Sequence, residues 1–127
     1  EQQRAFSYVG DIIPVMARCV EVKEAHGEVF NIGADVPCTV NELATAVMKA
    51  MDASGELTHL DARNEVVHAW SDHAKAQAVF GETLHTPLEE GLHRMAAWAK
   101  RTGARQSKAF GEIEIERLLP PSWKERG

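Results

Sequence analysis

The chain is poor in aromatic residues and cysteines. Aromatics make up 6% of its 127 residues, and the two cysteines are Cys19 and Cys38. They lack the spacing of a metal site, so we expect two reduced side chains and a cytoplasmic protein. No apolar run is long enough to span a membrane, so no membrane partner is expected. The net charge is −5 and the chain has no basic cluster, which argues against a nucleic-acid partner.

The signatures of metal and dinucleotide sites are also missing. Six histidines are present, but neither His68 with His73 nor His85 with His93 has the i, i+4 spacing of a ligand pair on one helix. No Gly-x-x-Gly-x-x-Gly turn follows a strand to receive a pyrophosphate at a helix N-terminus. We therefore expect this chain alone to bind no metal and no cofactor.

What is present is a regular spacing of apolar residues that predicts helices. Asp11 is a suitable N-cap for a first helix, and Gly27 is a natural place for it to end. Thr39 and Glu42 match a capping box, in which each side chain satisfies a backbone N–H group at a helix start. This predicts a second helix that ends near Gly55.

Two further helices are expected nearer the C-terminus. Ser71 or Asp72 is the expected cap of a short third helix that stops at Gly81. Thr86 begins a second match to the capping box, which predicts a fourth helix that ends at Gly103. The expected buried face of that helix consists of Leu88, Leu92, Met95 and Ala99.

Short strands are predicted at residues 28–31 and 56–60, where residues with high β propensity lie beside glycines. With the helices, they predict a mixed α/β fold of three or four helices and a few short strands, without a Rossmann domain. We assign residues 1–103 to this domain. Residues 104–127 lose the helical periodicity but keep apolar residues, and we expect an extended tail.

Arginine is the side chain best suited to a diphosphate, because its planar fork engages two oxygens at once. Arg4 and Arg63 are the candidates. Arg4 begins an Arg-x-Phe-x-Tyr-Val-x-Asp pattern, in which Phe6 and Tyr8 would face the same way if the segment is extended. The alternative for each candidate is an arginine exposed to solvent at the surface.

Asn31, Tyr8 and Asp72 complete the candidate site. Asn31 ends the first predicted strand, where Gly33 permits a tight turn, and its alternative role is to bond its own backbone in that turn. Tyr8 could contact the base or sugar of a nucleotide, or lie in the core. Asp72 could bind substrate, or cap the third helix.

These segments together resemble the substrate-binding half of the extended short-chain dehydrogenase/reductases. That family includes the nucleotide-sugar epimerases, dehydratases and decarboxylases, with the UDP-glucose 4-epimerase-like enzymes among them. The resemblance runs from Gln3 to Trp98, and it depends on several motifs in the same order. The most specific ones are residues 4–11, 30–33 and 71–97, the last containing Thr-Pro-Leu-Glu-Glu-Gly-Leu at 86–92.

The resemblance implies that Arg4 and Arg63 contact the phosphates of a nucleotide-sugar substrate and that Asn31 lies near the nucleotide. Arg63 departs from the family pattern, because Ala62 occupies the position where the arginine is usual. NAD and the catalytic Tyr-x-x-x-Lys pair would belong to a Rossmann domain that precedes Glu1. We therefore expect this chain to be inactive alone and part of a homodimeric enzyme when full length.

Two alternatives remain open at this level. The chain could belong to a non-catalytic member of the same superfamily, such as a redox sensor, a scaffold or an RNA-associated protein. It could also be a stand-alone interaction module whose tail, around residues 113–123, binds a partner protein. The resemblance itself does not decide among epimerisation, dehydration and decarboxylation.

Overall fold

A three-stranded sheet with β1 at its centre organises the fold. The computed structural model describes residues 2–61, 65–82 and 85–106. The elements in chain order are β1 (Gln3–Ala5), α1 (Val9–Arg18), a 3-10 turn (Lys23–Ala25), β2 (Pro37–Thr39), α2 (Val40–Met51), β3 (His68–Ala69), α3 (Ala74–Phe80) and α4 (Leu88–Thr102). The predicted mixed α/β class, with four α-helices and a few short strands, is confirmed for this part of the chain.

The sheet order is β2-β1-β3. β1 runs antiparallel to β2, where Arg4 pairs with Cys38, and parallel to β3, where Arg4 pairs with Ala69. Arg4 therefore lies in the middle of the central strand, and segments distant in sequence flank it on both sides.

The first helix differs from its prediction at both ends. It begins at Val9, and Tyr8 is the N-cap without a side-chain capping bond, so Asp11 as N-cap is wrong. Asp11 lies instead in the first turn, where its carboxylate accepts hydrogen bonds from the backbone N–H (2.8 Å) and the hydroxyl (2.7 Å) of Thr86. The helix ends at Arg18, well before Gly27, and the chain continues into the 3-10 turn.

Neither predicted strand is present at 28–31 or 56–60 in the described chain. Side chains rather than a β ladder fix the first of these segments. The Phe30 ring meets Phe80 edge to face, and the Lys75 ammonium donates to the Val29 carbonyl oxygen at 3.0 Å. Local β propensity is therefore overridden by tertiary contacts at this position.

The first capping box is confirmed. The Thr39 hydroxyl accepts from the backbone N–H of Glu42 at 3.1 Å, and the Glu42 carboxylate accepts from the backbone N–H of Thr39 at 2.7 Å. α2 ends slightly earlier than predicted, because Asp52 adopts the left-handed conformation at φ 55° and terminates it. Asp52 is the one described non-glycine residue with positive φ.

The predictions for the boundaries of α3 and α4 had different outcomes. Asp72 accepts from the backbone N–H of Ala74 at 2.8 Å, so it assists the start of α3 as the capping interpretation expected, although the N-cap residue is His73. The second capping box is wrong, because Pro87 is the N-cap of α4 and the Thr86 hydroxyl bonds to Asp11. The predicted ends of α3 and α4, at Gly81 and Gly103, are confirmed.

Two groups of buried residues form the interior. The first, which we call the α1–α3 side, is a cluster of Val15, Ala25, Ala76 and Phe80. The second, the α2–α4 side, consists of the two helices that pack on each other, whose buried residues include Ala50 and Ala96. The prediction that Met95 is buried is wrong, since its side chain is 56% exposed.

The outer surface of α1 carries an uncovered apolar stripe. Its members recur at helical spacing along one face, and all are more than half exposed: Val9, Ile13 and Met16. Within the described residues, no helix has the length and apolar character needed to cross a membrane.

Candidate functional site

Arg4 is the best-defined member of the predicted site. Its position on the central strand directs the guanidinium to the segment that leads into β3. There Nη2 donates to the Val66 carbonyl oxygen at 2.7 Å, and Nη1 donates to the carbonyl oxygens of Gln3 at 2.7 Å and Val67 at 3.2 Å. The Glu65 carboxylate lies 4.0 Å from Nη2. Arg4 is thus a cross-link between β1 and residues 65–67.

The Arg4 side chain keeps access to solvent despite these bonds, since it is 27% exposed. A guanidinium has five N–H donors, and the carbonyl groups do not use all of them. An anion could therefore approach its outer edge, where Glu65 is the competing negative group. The alternative interpretation of Arg4 as an arginine exposed to solvent does not describe it fully, because its guanidinium bonds to the segment that leads into β3.

Arg63, the second predicted phosphate ligand, lies outside the described residues. The chain that follows it is described and runs directly past Arg4 as residues 65–69. The backbone N–H of Gln3 donates to the Val67 carbonyl oxygen at 2.8 Å, which extends the β1–β3 pairing. The two motif segments are therefore neighbours in the sheet.

Tyr8 has a packing role in this structure. Its ring lies against α4, where a Cβ atom added to Gly91 would be 3.3 Å from the Tyr8 Cβ. The Arg94 guanidinium lies 5.4 Å from the centroid of the Tyr8 ring, as in a cation–π contact. The absence of a side chain at Gly91 therefore allows α4 to approach the start of α1.

Asn31 and Asp72 form no hydrogen bond with Arg4 in the described part of the chain. Asn31 is exposed and lies between Phe30 and Ile32, which both pack against the α1–α3 core. Asp72 bonds to the start of α3. Among the described residues, the predicted site members Arg4, Tyr8, Asn31 and Asp72 form no hydrogen bond with one another. Their role as one substrate site stays a prediction.

A second polar centre was missed by the sequence reasoning. His73 is 7% exposed, and its ring bonds to Asp35 and Ser71. The three residues come from the loop before β2 and the segment before α3, so neither their spacing nor any motif brings them together. The burial of His73 is what identifies this centre, and burial is visible in the structure but not in the sequence.

The remaining polar groups give less support for a functional site. A groove of about 470 Å³ between α2 and α4 is lined by Glu42, Lys49, Glu89 and His93, and none of the predicted site residues borders it. Burial raises the pKa of the Cys38 thiol, and Glu42 and Glu89 raise it further, which disfavours the reactive thiolate. Within the described ranges, no three His, Cys, Asp or Glu side chains are arranged to hold a metal ion.

The site geometry thus consists of Arg4 beside residues 65–67 and of a separate His73 centre. Compared with known proteins, the chain matches no protein-family model and no solved structure.

Proposed function

We propose that this chain is the substrate-binding part of an NAD-dependent nucleotide-sugar epimerase or dehydratase. In this role it anchors the diphosphate of an NDP-sugar, with UDP-sugars as the first class to test. The observation that carries the proposal is the parallel pairing of β1 with β3. Two segments that resemble the phosphate-binding motifs of one family are thereby adjacent, with Arg4 against the backbone that follows position 63.

The chemistry of Arg4 supports an anion at this position. A guanidinium forms short, charge-assisted bonds to phosphate oxygens in a two-pronged geometry. The bonds to Val66 and Val67 hold the side chain in place before a ligand arrives, which lowers the entropy lost on binding. The ligand displaces Glu65 from the neighbourhood of Nη2 and takes over its electrostatic contact.

The role of this chain in catalysis is positioning. In the longer enzyme, NAD held by a Rossmann domain accepts and returns a hydride at the sugar. Arg4, with Arg63 as its proposed partner, fixes the diphosphate so that the sugar reaches the nicotinamide, which turns a bimolecular encounter into an ordered one. The proposal includes a cytoplasmic location and a homodimeric full-length enzyme.

Calorimetric titration of the chain with UDP tests the proposal directly. Arg4→Ala should weaken UDP binding by about 1.5–3 kcal/mol, the scale of a hydrogen bond to a charged group. Arg63→Ala should weaken it in the same way. Arg105→Ala is the matched control, because Arg105 is exposed beyond the end of α4. Far-UV circular dichroism of each variant separates a lost ligand from a lost fold.

Two outcomes contradict the proposal at different levels. Unchanged affinity in a folded Arg4→Ala variant removes Arg4 from the site. Absence of any UDP or UDP-sugar binding by the unaltered chain rejects nucleotide anchoring by this domain.

A second function, a protein-interaction module, is favoured by the apolar stripe on α1. Within an epimerase the stripe packs against another part of the enzyme, whereas in a module it binds a different protein. Sedimentation velocity of the chain and of Ile13→Glu measures whether the stripe mediates association. Association that Ile13→Glu abolishes, together with no binding of UDP, supports the module over the epimerase.

A further inference from the structure

His73 lies at the centre of a linear hydrogen-bond relay. Its Nδ1 atom is 2.6 Å from Oδ1 of Asp35, and its Nε2 atom is 2.9 Å from Oγ of Ser71. A serine, an imidazole and a carboxylate in this order form the constellation that activates a hydroxyl for attack on acyl groups, and such constellations are recognised by geometry and not by sequence position.

The carboxylate determines the direction of the relay. An ionised Asp35 accepts hydrogen bonds and donates none, so the proton of the neutral imidazole resides on Nδ1. Nε2 then presents its lone pair to Ser71, and the Ser71 hydroxyl donates to it. This is the polarity required of a general base, because the hydroxyl proton is the one removed when the oxygen attacks.

Ser71 and His73 differ in their exposure to solvent, as a nucleophile and its base require. His73 is 7% exposed, whereas Ser71 is exposed. The residue that carries the nucleophile is therefore open to solvent while its base is shielded. Gly33 contributes to this arrangement, since a Cβ atom at that position would lie 3.2 Å from His73 Nε2 and 3.1 Å from Oγ of Ser7.

The start of α3 fixes the spacing within the relay. Ser71 and His73 stand on either side of Asp72, whose carboxylate accepts the backbone N–H of Ala74. His73 is the N-cap residue of α3, so the first turn of the helix holds its backbone. Asp35 arrives from the loop before β2 and orients the ring from the opposite side.

The geometry points to an acyl-transfer site in which Ser71 is the nucleophile, His73 the general base and Asp35 a positioning residue. The substrate class is an activated ester, such as an aryl ester, whose phenol is a good leaving group. This activity is independent of nucleotide-sugar binding, because it uses neither Arg4 nor residues 65–67.

The reaction follows from the relay. Oγ of Ser71 attacks the ester carbonyl carbon while its proton passes to Nε2 of His73. The bond from the carbonyl carbon to the phenol oxygen then breaks, and His73 returns the proton to that oxygen, which leaves an acyl-Ser71 and free phenol. A water molecule attacks the acyl group with the same base, releasing the carboxylic acid and restoring Ser71.

The test is covalent labelling of the full chain with an alkyl fluorophosphonate, in which Oγ of Ser71 displaces fluoride from phosphorus. Intact mass should show a single adduct, and peptide mapping should place it on Ser71. Ser71→Ala should abolish labelling. His73→Gln should slow it about 100-fold or more, the usual contribution of a general base. Release of p-nitrophenol from p-nitrophenyl acetate should follow the same order among the variants.

The positioning role of Asp35 is tested separately, by the labelling rates of two variants. Because its side chain is 52% exposed, the orienting effect is partly screened, and Asp35→Asn should slow labelling by about tenfold rather than by the full factor of a buried carboxylate. Asp35→Glu should recover part of the rate. A purely structural role for Asp35 predicts equal loss in both variants, with a matching loss of helix content.

Ser54→Ala is the matched control, because Ser54 is an exposed serine in the described chain outside the relay, and its labelling rate should equal that of the unaltered protein. The unaltered chain in urea provides a second comparison that needs no variant. Labelling of Ser71 no faster in the folded chain than in the unfolded one, or persistence of the adduct in Ser71→Ala, overturns the proposal and leaves the relay as a structural link.

Discussion

The α1–α3 side of the molecule and the α2–α4 side are stabilised by different kinds of contact. On the α1–α3 side, Phe80 is 3% exposed and its ring centroid lies 5.1 Å from that of Phe30. On the α2–α4 side, the buried residues are small: Ala50 and Ala96. Large rings that fit edge to face hold one side, and close approach of helix backbones holds the other.

Long-range polar contacts occur on both sides, since Lys100 of α4 pairs with Asp52 at the end of α2. The start of α2, however, is stabilised by a local pair. The capping box of α2 joins residues three positions apart, Thr39 and Glu42. On the α1–α3 side, Arg18 Nη1 donates to the carbonyl oxygen of Phe80 at 2.8 Å, and His73 bonds to Asp35 from a distant part of the chain. Local pairs stabilise an element before it packs, whereas distant pairs exist only once the fold is formed.

The largest effect is expected from truncation of the α1–α3 core. Phe80→Ala should lower the free energy of unfolding by about 3–5 kcal/mol, because it removes a buried ring and leaves a cavity beside Phe30. Met95→Ala on α4 is the matched control and should change stability by less than about 0.5 kcal/mol, since that side chain is exposed. Urea titration measures both, and equal losses would contradict the division into two sides.

The next effect concerns the Asp11–Thr86 contact, which links α1 to the segment before α4. Asp11→Ala should cost about 1.5–3 kcal/mol, because the backbone N–H and the hydroxyl of Thr86 lose their charged acceptor. In a double-mutant cycle with Thr86→Ala, a coupling energy of about 0.5–3 kcal/mol is expected for residues in direct contact. Strict additivity would instead support two independent helix caps, as the sequence pattern suggested.

The smallest effect is a difference in acid response between two carboxylates, Glu42 and Glu28. Hydrogen bonds from Thr39 lower the pKa of Glu42, whereas the hydrogen bond and charge of Lys75 lower the pKa of Glu28. Each carboxylate therefore stabilises the fold above its unfolded pKa, and this contribution is lost as the pH falls through the folded pKa.

Salt distinguishes the two carboxylates. At about 1 M salt the Glu28 pKa should rise toward its usual value, because the charge of Lys75 is screened, while the Glu42 pKa should change less. NMR titration of both side-chain carboxyl groups at low and high salt provides the measurement. Lys75→Gln is the control that should reproduce the effect of salt on Glu28. A Glu42 pKa as sensitive to salt as that of Glu28 would contradict this assignment.

Sequence reasoning succeeded where the signal was local. The capping box at Thr39 and the helix ends at Gly81 and Gly103 depend on neighbouring residues, and the structure contains all three. It failed where a distant group competed for the same side chain. Thr86 has the pattern of a cap, but its hydroxyl donates a hydrogen bond to the carboxylate of Asp11. The strand predicted at 28–31 is likewise replaced by contacts to α3.

The candidate site shows the same limit. The sequence pattern at Arg4 left open whether its segment is extended, and β1 (Gln3–Ala5) contains the start of that segment. That Arg4 would bind the carbonyl groups of Val66 and Val67 was not readable, because the parallel pairing of β1 with β3 brings them together. The His73 relay gave no signal at all, since a buried imidazole with two partners depends entirely on packing.

The central position of β1 has a consequence for the order of assembly. Neither β2 nor β3 pairs with the other, so the sheet forms only when β1 has met both. Closing the chain from Arg4 to Ala69 encloses about twice as many residues as closing it to Cys38, which adds roughly 0.6 kcal/mol of entropic cost. We therefore expect the antiparallel pair to form first and the parallel closure, which also assembles the Arg4 contacts, to follow it.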